Sequence, residues 1–261
     1  MSLLAKPQKG PNDGCRKSGC HEKLVTPKEK FVHGPIGVGS CRPCHRPLIE
    51  GLAGPWHKKG QMEIPVAKAK LCLPCHSEIE RARKLRFKHK PVNRANCGYC
   101  HDPHASTERY LLRNGKPGES QKYCFMCHRD QKNFRRKVKH QPAVKGRCSR
   151  CHVAHGSSIQ GLLRKSQSQL CAECHKKLDW RKRKVVHGPV AAGSCGGCHN
   201  PHSADHAKLL KLPKEKLCLG CHKKKRMTKI HTVIAGGNKK SCYACHEPHA
   251  SNKPYLIKDR R

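Results

Sequence analysis

Aromatic residues are scarce in this chain: Phe, Trp and Tyr make up only 4% of 261 residues. The hydrophobic share of 35% includes twenty cysteines, and it stands beside 28% charged residues and 18 prolines. Such a chain buries too little side-chain surface of its own to offset the conformational entropy lost on folding. Acidic residues are also few, 17 Asp and Glu against 56 Lys and Arg, for a formal charge of +39. No apolar run is long enough to cross a membrane as a helix. The opening residues, MSLLAKPQKGPNDG, lack the apolar stretch and cleavage site of a signal peptide. Two readings survive these absences. Either the chain is largely disordered, or something other than protein fills its core.

The abundance of cysteine and histidine, 20 and 21 residues, decides between them. Cysteine is near the density of a disulfide scaffold, but such a scaffold has no use for matching histidines. Every cysteine belongs to a pair followed at once by histidine. Nine pairs are C-x-x-C-H: Cys41, Cys44 and His45; Cys72, Cys75 and His76; Cys97, Cys100 and His101; Cys124, Cys127 and His128; Cys148, Cys151 and His152; Cys171, Cys174 and His175; Cys195, Cys198 and His199; Cys218, Cys221 and His222; Cys242, Cys245 and His246. The tenth, Cys15, Cys20 and His21, has four residues between its cysteines, a spacing also met in small multihaem cytochromes similar to cytochrome c3. C-x-x-C-H is the attachment site of c-type haem. Two thiols add to the porphyrin vinyl groups, and the next imidazole becomes the proximal iron ligand. Zinc ribbons and redox dithiols also use C-x-x-C, but neither requires histidine after every second cysteine. For Cys15 and Cys20 the competing reading is a local disulfide.

The motifs alternate in two classes. Second cysteines of the first class, Cys44, Cys100, Cys151, Cys198 and Cys245, are spaced 56, 51, 47 and 47 residues apart; those of the second, Cys20, Cys75, Cys127, Cys174 and Cys221, 55, 52, 47 and 47. This is a repeat of about 50 residues carrying two haems. The units are 33–88, 89–139, 140–186 and 187–230, with half repeats at 1–32 and 231–261. Each opens on a histidine, usually followed by Gly-Pro or X-Pro. The first motif then begins eight residues on, or eleven in the last unit. An H-x-x-H segment follows (HDPH, HVAH, HNPH, HEPH), then a Leu-Leu pair in the middle repeats. Gly and Pro punctuate the first motif. Short helices are expected over 77–85 (SEIERARKL) and in the basic stretches after Cys174 and Cys221, none stable without tertiary packing. The expected fold is mostly irregular with few short helices, an elongated array wrapped around a haem-filled core.

Ten histidines are proximal, and eleven remain. Five precede a first motif: His33, His89, His140, His187 and His231. Four close H-x-x-H: His104, His155, His202 and His249. In the first full repeat the closing position is Leu48, and His57 is the expected substitute. His206 has no counterpart and is the expected extra. Ten haems with two axial imidazoles would use twenty histidines. A closing histidine is three residues from its proximal neighbour, too few to pass around a porphyrin edge, so it is expected to serve a different haem. Ten haems would add about −20 from propionates and leave about +19, suited to acidic redox partners. Nucleic acid is a poor fit, because stacking platforms and recognition motifs are missing.

The H…CxxCHxPH…LCxxCH repeat, from Cys15 to His249, resembles the doubled-CxxCH multihaem cytochromes, and the haem density is similar to that of the periplasmic decahaem cytochromes of porin–cytochrome conduits. Leu48, the short chain and its basic charge depart from that pattern. The resemblance implies ten covalent haem c groups, electron transfer rather than catalysis, and an extracytoplasmic location where covalent haem attachment takes place. It also implies an outer-membrane porin and surface cytochromes as partners. A self-associating filament subunit, and a reductase with one open haem position, are the alternatives.

Overall fold

The computed structural model describes residues 21, 24–47, 62–63, 68–113, 121–128, 132–176, 180–222, 231 and 241–259. The chain divides into two compact units. One comprises Met1–His128 with Ala154–Ser158, the other Arg129–Val153 with Ile159–Arg261. Both are built from the same short pieces. Single helical turns, Gly34–Gly37 and Lys90–Asn93 in the first unit and Gln141–Val144 and Gly188–Ala191 in the second, start directly after the opening histidines. Each has proline in its first turn, where a missing N–H costs nothing and φ is preset.

The longest described helix is Ser77–Lys84, within the stretch expected to be helical. Glu78 and Glu80 lie in its first turn, and Arg81, Arg83 and Lys84 in its last, matching the helix dipole. Helix also leads into the second motifs, at Lys68–Cys72, Gln121–Cys127, Gln167–Ala172 and Lys214–Leu219. After Cys174 the basic stretch forms only a 3-10 turn, Trp180–Lys182; residues 177–179 and 223–230 lie outside the described residues.

The sheets are antiparallel two-residue ladders. In the first unit Phe31–Val32 pairs with Ala105–Ser106, Phe87–Lys88 with Gly156–Ser157, and Arg46–Pro47 with Met62–Glu63. In the second, Val138–Lys139 pairs with Ser203–Ala204 and Val185–Val186 with Ala250–Ser251. Four of these join the strand before an opening histidine to the strand after an H-x-x-H segment one repeat later. At each junction the opening histidine's N–H donates to the closing histidine's carbonyl: His33 to His104, His89 to His155, His140 to His202 and His187 to His249, at 2.9–3.1 Å. Ladders this short have no stability of their own.

Among the described residues only Ile36, Ala105, Ala204, Leu210 and Ala250 are buried apolar side chains. Three of these, Ala105, Ala204 and Ala250, with the buried Ser106, Ser157, Ser203 and Ser251, are the small residues directly after H-x-x-H. Gly156 replaces alanine or serine at this place because a Cβ there would stand 2.1 Å from the Ala82 carbonyl oxygen at the end of helix Ser77–Lys84. The described residues therefore form no apolar core of ordinary size, and within each unit their elements converge instead on histidine rings.

Candidate haem-ligating centres

The opening residues of each repeat place one imidazole, and the motif or a neighbouring repeat places another opposite it. In the first unit the facing pairs are His33–His76, His45–His104, His89–His128 and His101–His155. In the second they are His140–His175, His152–His202, His187–His222, His199–His249 and His231–His246. All nine have ring centroids 6.0–6.2 Å apart and planes within 11–28° of parallel. Every pair contains one C-x-x-C-H histidine.

In eight of the nine pairs one ring is held through Nδ1 by a backbone carbonyl. The carbonyls of Tyr110, Gly161, Lys208 and Tyr255 accept from Nδ1 of His101, His152, His199 and His246 at 2.7–2.8 Å. The carbonyls of Pro201 and Pro248 accept from Nδ1 of His140 and His187 at 2.7 and 3.0 Å. Pro103 and Ala154 supply the corresponding backbone bonds to His33 and His89. A carbonyl only accepts, so Nδ1 carries the proton and Nε2 is the free ligand atom. Two imidazole–metal bonds of about 2.0–2.1 Å, with roughly 1.1 Å from nitrogen to each ring centre, span about 6.3 Å. The observed spacing fits one metal between each pair.

The carbonyls that hold the proximal rings sit in unusual backbone. Tyr110, Gly161, Lys208 and Tyr255 have φ of 55–74°, and the leucines that follow them, Leu111, Leu162, Leu209 and Leu256, have φ of 54–60°. Left-handed geometry costs a residue with a side chain roughly 1–2 kcal/mol. The turn is held by two more bonds: the residue after the proximal histidine (Asp102, Val153, Asn200, Glu247) donates to the leucine carbonyl, and the second motif cysteine (Cys100, Cys151, Cys198, Cys245) accepts from the end of the turn, at 2.7–2.9 Å. Strain of this kind gathers where local geometry serves a site. The sequence signal was the recurrent leucine pair, whose role could not be read without the backbone.

The thiols of successive motifs are neighbours inside each unit. Burial pushes the Cys72 thiol up, and Cys97, at hydrogen-bonding contact, and Cys44 push it further. Burial and Cys127 act likewise on Cys100. In the second unit burial, Cys195 and Cys151 push Cys171 up to about 11, and burial, Cys242 and Cys198 raise Cys218. None of the eighteen described cysteines is paired in a disulfide. Among the described residues no group of three or more Cys, His, Asp or Glu is gathered as a zinc site would require. Burial also pushes the imidazoles of His33, His89, His104, His155, His202 and His249 down, favouring the neutral, ligating form.

Three residues from the sequence reading, Cys15, Cys20 and His57, lie outside the described residues. His206 is in none of the nine pairs. It starts the turn Ala207–Leu209, where the other repeats have Glu108, Ile159 and Lys253.

Thiol pairs beside imidazole pairs with one metal-sized gap, repeated in tandem on sparse secondary structure, are the makings of a multihaem c-type cytochrome. The sequence profile of the doubled CXXCH motif matches residues 89–133, 140–179, 187–227 and 231–261, more than half of the chain. The chain belongs to the doubled CXXCH motif family. Repeat 33–88, with Leu48 in the closing position, lies outside the matched segments, yet His33, His45 and His76 pair as their counterparts do. No curated protein matches the chain. Haem supplies a one-electron Fe(III)/Fe(II) couple. The motif cysteines would hold it covalently, and the paired imidazoles would occupy both axial positions.

Proposed function

We propose that this protein is an electron carrier with ten covalently bound haems, each held between two histidines, passing electrons along the series toward an outer-membrane or extracellular acceptor. The observation that carries this reading is the set of nine imidazole pairs at 6.0–6.2 Å. An iron ligated on both faces has no position for a substrate, which favours conduction over catalysis.

The nine pairs use eighteen of the 21 histidines and follow one register. An opening histidine pairs with the second motif of its own repeat. A closing histidine pairs back to the first motif of the preceding repeat. In the half repeat 231–261 the opening histidine, His231, faces the first-motif histidine His246. Leu48 stands where the later repeats have the closing histidine. His57 is the histidine we assign to the iron at His21, and His206 is left without an assigned iron.

Ten haems leave a charge of about +19, which suits acidic redox partners. Among the described residues no helix is long and apolar enough to cross a membrane. Covalent haem attachment argues for an extracytoplasmic site, with a porin and surface cytochromes as partners.

Intact mass with pyridine haemochrome quantitation tests the count. Ten haems and a wholly low-spin spectrum are the expected result. Nine would remove Cys15 and Cys20 from the set, and a stoichiometric high-spin signal would convert the protein into a reductase candidate. Size measured on dilution separates a carrier from a filament subunit.

A further inference from the structure

The four H-x-x-H segments share one backbone and differ in the side chain that follows the proximal histidine: Asp102, Val153, Asn200 or Glu247. In three of the four that side chain is a polar group within 4 Å of the closing histidine two residues on. Asp102 Oδ1 accepts the backbone N–H of His104 at 3.0 Å and lies 3.6 Å from its Nδ1. Glu247 Oε1 lies 3.9 Å from Nδ1 of His249. Asn200 Oδ1 accepts the backbone N–H of His202 at 3.1 Å but brings no charge. Val153 offers His155 neither charge nor acceptor.

The surroundings keep the four apart. Arg113 lies 3.8 Å from Asp102 and donates to the His101 carbonyl at 3.0 Å, so it dilutes the carboxylate without removing it. Glu78, a carboxylate on helix Ser77–Lys84, contacts Nδ1 of His76 at 3.5 Å.

We propose that this position sets the relative potentials of the haems ligated by the closing histidines. Asp102 and Glu247 hold the irons paired at His45 and His199 at lower potential than Val153 leaves the iron paired at His101, with Asn200 and the iron paired at His152 between them. The proposal rests on bis-histidine haem ligation as read above. A carboxylate beside Nδ1–H raises the donor strength of the imidazole and stabilises the ferric state, which carries one more positive charge than the ferrous. The four residues are positioning and tuning groups, since none touches the iron. In chain order the four sites then run low, high, intermediate, low. Such a series has no downhill direction from one terminus to the other and suits two-way conduction.

The test uses the full haem-loaded chain with Asp102→Asn, Asp102→Glu, Glu247→Gln and Val153→Asp. Haem content and low-spin spectrum are measured first, then optical redox titration and film voltammetry. Asp102→Asn and Glu247→Gln should each move one electron's share of the titration upward. The expected size is about tenfold in the reduced-to-oxidised ratio at fixed potential, equivalent to about 59 mV for one electron. Asp102→Glu should restore the wild-type curve, and Val153→Asp should move one share downward. Unmoved curves at full haem content, or an upward shift in Val153→Asp, overturn the proposal and leave haem ligation standing. A wild-type protein without low-spin haem overturns the underlying reading. If Asp102→Asn loses haem, the Glu247 and Val153 variants still decide.

Discussion

The two motif classes carry the same C-x-x-C-H residues on different backbones. In the first motifs the proximal rings of His101, His152, His199 and His246 are each held by a carbonyl nine residues downstream, presented by a left-handed turn. In the second motifs His76, His128, His175 and His222 follow a helix that runs into the motif. Among the described residues none of these four rings bonds such a carbonyl. A first-motif ring is thus oriented by its own repeat before any iron arrives. A second-motif ring depends on the opening histidine across from it and on the metal between them. The same chemistry is reached once through strained local backbone and once through a helix that costs little.

The largest effects should come from breaking the pairs themselves, and double variants separate the two classes. His199→Ala and His249→Ala face one another, so each alone, and both together, should cost the same single low-spin iron. His199→Ala with His187→Ala should cost two, because His187 faces His222. Interaction within a pair and additivity between pairs is the double-mutant signature of shared sites. Quantitative EPR of low- and high-spin signals reads it directly. Additive losses for His199 and His249 would dissolve the pairing rule.

The turn that distinguishes the first class can be broken at Gly161, where φ is +74° and a Cβ would meet nothing within 4 Å. The space is open, so only the backbone angle opposes a side chain. Gly161→Val should cost about 2 kcal/mol and loosen the hold on His152, broadening one low-spin signal. The reverse change, Tyr110→Gly, relieves the same strain and should add about 1 kcal/mol. Thermal unfolding of the haem-loaded protein checks both. Equal effects of the two substitutions in sign would show that the turn is not strained.

The paired C-x-x-C-H motifs and their tandem repeat were legible in the sequence, because covalent attachment demands contiguous residues. So was a short helix within 77–85, found at Ser77–Lys84. What could not be read was which ring faces which. That register depends on ladders only two residues long, such as Val185–Val186 on Ala250–Ser251, whose small residues carry no hydrophobic pattern. The left-handed turns were hidden for a related reason: Tyr110, Lys208 and Tyr255 occupy a conformation their side chains disfavour, so propensity points away from it. Gly156 is a further case, since its reason lies in the Ala82 carbonyl 74 positions earlier.

The hydroxyls that steady the two classes give the finest test of the contrast. Ser251 is 1% exposed; its Oγ donates to the Ile257 carbonyl and accepts from the Lys253 N–H at 3.0 Å, pinning the turn behind His246. Ser251→Ala leaves a donor and an acceptor without partners away from water and should cost about 1–3 kcal/mol. Ser166, partly exposed, caps the helix into the second motif at 171–175, accepting from Gln169 N–H in a capping box. Its loss should cost about 1 kcal/mol, since water can replace part of the cap. The two variants should also differ in kind. Ser251→Ala acts on the turn that holds a ring and should perturb the low-spin signal of the iron paired at His246. Ser166→Ala should lower the unfolding temperature and leave every low-spin signal in place, because no bond links that helix cap to the ring of His175. A Ser166 variant that shifted an iron signal would mean that the second-motif helix also orients its imidazole, and the distinction between the classes would disappear.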